Sequence, residues 1–172
     1  MFKKTAAPSA ANVITLSKSL RFRSSATAYL SRTPSSSGNT QKLTWSGWIK
    51  YATSSTYAVI FSAQNTAGTD QDAMYIDSGT QGISIILNGA TGASLLTSQV
   101  FRDPGSWYHI VLAIDTTQAT ASNRIKLYVN GSQVTAFSTS TYPTQNYNFQ
   151  GFNVSGRLQF LGTQAQSYPA FR

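Results

Sequence analysis

Apolar and polar residues alternate along several short runs of the chain. GISIILN places an aliphatic side chain at every second position from Ile83 to Leu87, and RIKLYVN does the same from Ile125 to Val129. Successive side chains of an extended strand point to opposite faces, so this period of two predicts strands with one buried face and one solvated face.

Runs of this kind follow one another at intervals of about 8–12 residues, with turn residues between them, which is typical of a β-sandwich or barrel. No segment has a convincing helical period, and 34–40 and 138–150 are predicted loops, the second unusually rich in aromatic residues. The eleven candidate strands comprise residues 19–24, 28–32, 42–50, 57–64, 72–77, 82–88, 93–99, 108–115, 124–130, 133–137 and 157–162. We therefore expect an all-β fold.

The run WYHIVLAID differs from the others because it is apolar on both faces. Every second residue from Ile110 to Ile114 forms one face, while Trp107, Val111 and Ala113 line the other. A strand of this type belongs in the middle of a sheet that is covered on both sides, or it lines a concave groove.

Turn residues support this division into strands. Asn130-Gly131 lies between two strand-like runs, and an Asn-Gly pair in a two-residue loop forms a type I′ turn because both residues tolerate positive φ. Asn88-Gly89 repeats the pair, and 102–105 contains a Pro-Gly turn.

The first 18 residues, MFKKTAAPSAANVITLSK, are small, polar and aperiodic. They predict an extended basic arm that is ordered only where it docks on a partner. Residues 19–172 are expected to form one domain, because a chain of 172 residues can build one two-layer core but not two sizeable domains.

Composition narrows the class of protein. Charged residues make up 10% of the chain, well below the usual value of about 25%. There is no cysteine, which excludes disulfides and Cys-ligated metals. No run approaches the roughly 18 apolar residues of a membrane span, and residues 5–12 lack the apolar stretch of a secretory signal. We expect assembly in a cytoplasm and no membrane partner.

The net charge of +8 is concentrated near the N-terminus, where eight basic residues precede Asp70, the first acidic one. These basic residues are spread among Ser and Thr, which favours a protein partner or an ordinary solvated face over nucleic acid. The residues predicted to anchor the chain to a partner are Lys3, Lys4, Lys18, Arg21 and Arg23.

Catalytic groups are scarce. The chain has five aspartates, no glutamate and a single histidine, whereas glycoside hydrolysis usually needs two carboxylates at one sugar. No Ser lies in a G-x-S-x-G motif. We therefore predict a protein that is not an enzyme and assign no catalytic residue. Asp70 and Asp72 are the candidates for calcium ligands, and no other cofactor or metal is expected.

Aromatic residues are the more informative feature. In KLTWSGWIK, alternation assigns Leu43, Trp45 and Ile49 to the core and Trp48 to the opposite face. The residues predicted to form a glycan- or partner-binding surface are Trp48, Lys50, His109, Lys126 and Tyr128. The alternatives are that a second layer or another subunit covers Trp48, and that the histidine is a packed structural residue.

Two long segments resemble a known family. SLRFRSSATAYLSRTPSSSGNTQKLTWSGWIK and QVFRDPGSWYHIVLAIDTTQATASNRIKLYVNGSQV are similar to the laminin-G-like, concanavalin A-like jelly-roll domains in structural proteins of tailed phages, especially marine ones. The resemblance covers roughly residues 18–163, and SGWIK, WYHIV and LYVNG carry it best. It implies an antiparallel two-sheet jelly-roll sandwich and a role in head decoration, in a head or tail fibre, or in glycan adhesion.

The chain departs from this family pattern in two ways. Concanavalin-like glucanases carry a Glu-rich active strand, which is absent here. Relatives also usually continue past the position of 168–172 with an apolar strand that begins with Gly and closes the sheet beside the first strand. The chain ends at SYPAFR, so the resemblance implies a sandwich that lacks its closing strand, with an open edge, an edge filled by another chain, or a truncated domain.

The leading hypothesis is a non-enzymatic phage virion protein on the virion surface, assembled in the host cytoplasm. Its N-terminal region would attach it to other virion proteins of the capsid or tail, and a homo-oligomer, by analogy a trimer, is expected. The alternative is a lectin-like module that binds a host surface glycan. Neither hypothesis involves nucleic acid or a membrane.

Overall fold

Eleven β-strands form the regular structure of the computed structural model, which describes residues 17–23, 28–51 and 57–163. Within these ranges the one helical element is a single 3₁₀ turn, Ala121–Asn123. In chain order the strands are β1 (Leu30–Arg32), β2 (Lys42–Ile49), β3 (Ala58–Gln64), β4 (Gln71–Ile76), β5 (Ile83–Leu87), β6 (Ala93–Thr97), β7 (Tyr108–Asp115), β8 (Ile125–Val129), β9 (Ser132–Gln133), β10 (Phe137–Thr141) and β11 (Leu158–Leu161).

The strands form two antiparallel sheets. The large sheet has seven strands in the order β1-β11-β3-β4-β5-β6-β10, and the small sheet has four in the order β2-β7-β8-β9. The predicted antiparallel two-sheet jelly-roll sandwich is confirmed.

The core lies between the sheets because the alternating strands turn their aliphatic side chains inward. Ile85 and Leu95 of the large sheet and Leu112 and Leu127 of the small sheet are completely buried. Burial of each such side chain stabilises the fold by about 1.5–3 kcal/mol.

The long connection from β10 to β11 also contributes to the core. Phe149 and Phe152 are buried, and the Phe152 ring stacks on Phe61 with 4.9 Å between ring centroids. This packing explains why the connection from β10 to β11 contains so many aromatic side chains.

The Asn130-Gly131 turn has the predicted geometry. Val129 pairs with Ser132, which leaves a two-residue loop, and φ is 51° at Asn130 and 82° at Gly131. Both residues are in the left-handed region that a type I′ turn requires.

Three element predictions are wrong. The predicted strand 133–137 is not one strand: its ends belong to β9 and β10, and residues 134–136 lie outside both. Residues 19–23 contain no strand: Leu20 is 70% exposed, and Phe22 lies against Gly162. Conversely, the first part of the predicted loop 138–150 belongs to β10, which pairs with β6. β10 escaped detection because its side chains are mostly polar and exposed, so the strand has no apolar face.

The sheet edges are β1 and β10 in the large sheet and β2 and β9 in the small sheet. Two predictions concern residues that the structure does not describe. Most of the expected arm falls in residues 1–16, and the expected missing strand concerns residues 164–172. Among the residues that are described, no helix is long and apolar enough to cross a membrane.

Candidate binding surface

The small sheet turns one face to the core and the other outward, and the outward face carries most of the predicted binding residues. We call it the outer face. It is formed by Lys42, Thr44, Ser46 and Trp48 of β2, His109, Val111, Ala113 and Asp115 of β7, and Lys126 and Tyr128 of β8.

One end of the outer face is aromatic. Trp48 pairs directly with His109 across β2 and β7, and the two ring centroids are 5.0 Å apart at an interplanar angle of 35°. The His109 Nε2 atom lies 3.2 Å from the Ser46 hydroxyl oxygen. Trp48 nevertheless remains 53% exposed, so no second layer formed by the described residues covers it.

Trp107 and Lys50 extend this aromatic end. The last residue pair of β2 and β7 is Ile49 with Tyr108, so alternation places Lys50 and Trp107 beside Trp48 and His109. Trp107 is 48% exposed. Trp107 was not among the residues predicted to form the surface. Its position two residues before His109 is the signal that assigns it to the same face.

Tyr128 and Lys126 lie further along the outer face. Tyr128 is opposite Val111 and Lys126 is opposite Ala113. Two strand spacings of about 4.8 Å separate β8 from β2, so Trp48 and Lys126 share a face without being direct neighbours. β7 lies between β2 and β8 with its outer side chains half-buried, which agrees with the groove-lining alternative for this strand.

Hydrogen bonds fix both ends of β7. The Asn130 side-chain oxygen accepts the His109 backbone N–H at 2.8 Å, and the Asn130 N–H donates to the His109 carbonyl at 2.8 Å. At the other end Asp115 accepts a bond from the Lys42 ammonium at 3.2 Å. Hydrogen bonds from Thr117 and Gln118 and the contact with Lys42 hold the pKa of Asp115 well below its usual value.

The two candidate calcium ligands have other partners. Asp72 is completely buried and accepts three backbone N–H groups, from Asn88, Gly151 and Phe152, at 2.8–2.9 Å. Burial raises the pKa of Asp72, and these hydrogen bonds partly offset the effect. Asp70 forms an ion pair with Arg157 at 3.0 Å. No group of three His, Cys, Asp or Glu suited to a metal occurs in the described part of the chain.

The remaining two aspartates stabilise turns. Asp77 accepts the N–H groups of Gly79 and Thr80, and Asp103 accepts the N–H of Gly105 and the hydroxyl of Ser106. Every aspartate side chain of the protein thus accepts hydrogen bonds from other groups of the chain.

The three predicted anchoring residues that the structure describes lie apart from the outer face. Lys18, Arg21 and Arg23 are exposed in a segment without regular structure, whose Phe22 lies against Gly162 at the end of β11 in the large sheet. Lys3 and Lys4 are outside the described residues.

Comparison with known proteins agrees with this architecture. Residues 24–169 match the family Laminin_G_3, described as the concanavalin A-like lectin/glucanases superfamily. The chain belongs to this superfamily. No curated protein sequence matches it.

The solved structures similar to this superfamily member have low sequence identity to it. Domains LG4-5 of the mouse laminin α1 chain align with 92% of the chain at 14% identity and a TM-score of 0.56, and the chain spans 41% of that fragment. The carbohydrate-binding module CBM66 from Bacillus subtilis aligns with 83% at 12% identity and a TM-score of 0.43, over 75% of that module. The extracellular region of zebrafish Gpr126/Adgrg6 aligns with 83% at 20% identity and a TM-score of 0.46, over 20% of that chain.

Proposed function

We propose that the chain is a non-enzymatic binding module whose outer face binds a glycan. The observation that carries the proposal is the exposed Trp48, whose ring packs against His109 at a tilt of 35°. The sheet register places the exposed Trp107 beside this pair of rings, together with Lys50. An exposed aromatic ring offers an apolar surface to the C–H face of a sugar, while neighbouring polar groups hydrogen-bond to its hydroxyls.

The engagement of the carboxylates supports a binding role over hydrolysis. A glycoside hydrolase of the usual type places two carboxyl groups on either side of one bond. All five aspartates of this protein instead accept bonds that hold turns or loops. The aspartate of the outer face, Asp115, pairs with Lys42 at the end of the β2–β7 ladder opposite Trp48.

A glycan array tests this proposal with the wild-type protein and Trp48→Ala. We expect binding to a subset of glycans that Trp48→Ala abolishes. Leu30→Ala is the matched control, because Leu30 is an exposed apolar residue of β1 in the large sheet; it should bind as the wild type does. Assays for reducing-sugar release from bound glycans should be blank. An array with no bound glycan, or robust sugar release, contradicts the proposal.

We also propose that the module is displayed on a phage virion, as a homo-oligomer attached through its N-terminal region to a capsid or tail protein. Support comes from the phage-like segments of the sequence and from the absence of cysteine. The exposed Lys18, Arg21 and Arg23 lie near the large sheet, so attachment there would leave the outer face free. A cryo-EM map of the particle should show residues 1–18 ordered against a neighbouring virion protein; an arm without such contacts contradicts this assignment.

A further inference from the structure

The outer face has a second feature at the end opposite Trp48. There a groove of about 430 Å³ is lined by residues of β2, β7, β8 and the connection between β7 and β8. Its row at Thr44 lies four residues along β2 from Trp48, a distance of about 13 Å. A ligand that contacts both features must therefore be an extended molecule.

The sheet register explains why the groove is there. Thr44, Ala113 and Lys126 form one row across the three strands. Ala113 has the smallest outward side chain of β7 and lies between Val111 and Asp115 along the strand. The surface is therefore recessed in the middle of the row, which forms the floor of the groove. Lys126 and Lys42 form the walls, and Gln118 and Asn123 add amide groups.

The groove has a net positive charge. Lys42 is paired with Asp115 at 3.2 Å, whereas Lys126 makes no ion pair or side-chain hydrogen bond with any described residue. An ammonium group has three donors and no acceptor. The Lys126 ammonium therefore favours an anionic oxygen as its acceptor. Charge-assisted hydrogen bonds of this kind are about twice as strong as neutral ones.

We propose that the glycan bound by the outer face is an acidic polysaccharide, with a carboxylate or sulfate group bound by Lys126 in this groove. This inference rests on the proposed function and adds the chemical class of the ligand. The sugar rings would extend along β7 from Ala113 towards Trp48, and the amides of Gln118 and Asn123 would contact neighbouring hydroxyls.

The groove favours a charged glycan over a nucleic acid. A nucleic-acid strand carries a phosphate at every residue, and its affinity depends on several cationic contacts. Here Asp115 lies in the same groove as the two lysines, where it would repel closely spaced phosphates. In a polysaccharide, neutral hydroxyls lie between the charged groups, and a hydroxyl can donate to that carboxylate.

The test measures dissociation constants by calorimetry for the full chain with four probes at about 0.1 M salt. The probes are dextran, dextran sulfate, polygalacturonate and oligothymidylate. The variants are Lys126→Gln and, as a matched control, Arg32→Gln, which removes one exposed positive charge from β1 in the large sheet. Trp48→Ala reports on the proposed function separately.

We expect dextran sulfate or polygalacturonate to bind at least tenfold more tightly than dextran, and Lys126→Gln to weaken that binding by about tenfold. Arg32→Gln should leave it unchanged, and Trp48→Ala should weaken binding of every polysaccharide. The two acidic probes distinguish sulfate from carboxylate.

Three results overturn the inference: equal binding of dextran, equal loss in both charge variants, or tighter binding of oligothymidylate. If dextran binds as tightly as the acidic probes but Trp48→Ala still loses dextran binding, glycan binding at the outer face stands and only the preference for an acidic glycan is wrong. If no polysaccharide binds, both fail.

Discussion

Asp72 shows how a single buried carboxylate organises this fold. It joins β4 to the β5–β6 turn at Asn88 and to the core-forming connection at Gly151 and Phe152. One oxygen accepts the Asn88 N–H and the other accepts the remaining two, so both are used. A buried polar group with fully satisfied bonds fixes the relative positions of the segments it connects.

Replacing Asp72 with Asn should lower the free energy of unfolding by about 1–3 kcal/mol, because an amide offers one acceptor oxygen and places its NH₂ against a backbone donor. The measurement is urea unfolding monitored by fluorescence. Asp77→Asn is the matched control. One carboxylate oxygen of Asp77 accepts all of its side-chain hydrogen bonds, and the amide oxygen of Asn can replace it. Equal effects in the two variants would contradict this account of Asp72.

Tyr147 is a partly buried residue whose hydroxyl is buried, and unlike the Asp72 carboxylate this group destabilises the fold. Its phenol oxygen packs on Gly92 so closely that no Cβ would fit there, and it has no hydrogen-bond partner among the described residues. Burial, together with the charges of Asp72 and Asp70, raises the pKa of Tyr147 to about 12.

Tyr147→Phe should therefore raise the free energy of unfolding by about 1 kcal/mol, because it removes an unsatisfied buried hydroxyl. The pH dependence follows from the raised pKa. The unfolded chain releases this proton near pH 10 and the folded protein near 12, so the wild type loses stability as the pH rises through that interval and the Phe variant loses less.

Urea unfolding at several pH values between about 9 and 12 measures both effects. Tyr29→Phe serves as the control, since the ring of Tyr29 is 48% exposed and its loss of a hydroxyl should change stability by less than about 0.5 kcal/mol. Parallel curves for wild type and Tyr147→Phe would show that Tyr147 does not titrate differently in the folded state.

At the scale of elements, the β8–β9 hairpin matters because it also holds the aromatic end of β7 through Asn130 and His109. Gly131→Ala should cost about 1–2 kcal/mol in unfolding free energy, since its φ of 82° strains any residue with a Cβ. Gly79→Ala, at a turn without positive φ, should cost little. Thermal unfolding compares the two, and equal losses would mean that the left-handed conformation is not required.

Sequence patterns predicted those elements whose side chains alternate. β8 and the two faces of β2 follow from the period of two, because one face of each is less exposed than the other. The same period predicted β5, although both of its faces are largely buried. The segment 19–24 also alternates, with Leu20 and Phe22, but alternation alone does not supply a neighbouring strand, and Leu20 stays exposed. β10 has the opposite property: it has a pairing partner but no apolar pattern.

The binding surface was predictable only in part. Local alternation assigns Trp48, His109 and Tyr128 to outward faces, but which of them meet depends on the register of β2, β7 and β8. That register is set by contacts between distant parts of the chain. The groove at Lys126 could not be predicted for the same reason. Its recessed floor depends on the register that places Ala113 between Thr44 and Lys126.

At the scale of the whole molecule, the two sheets have different roles in our account. The large sheet contributes most of the core and lies near the segment that carries the exposed Lys18, Arg21 and Arg23. The small sheet presents the outer face, with aromatic rings at one end and lysines at the other. A molecule divided in this way can be attached on one side and bind a ligand on the other.

The central claim, glycan binding at the outer face, is tested most directly by the three tryptophan indole N–H signals in a ¹H–¹⁵N NMR titration. The ligand is the glycan that binds best on the array. Trp48 and Trp107 are about half exposed, whereas Trp45 packs against the core and serves as an internal control. We predict that the signals of Trp48 and Trp107 shift with ligand concentration while that of Trp45 does not. Shifts confined to residues of the large sheet, with all three indoles unmoved, would contradict the account.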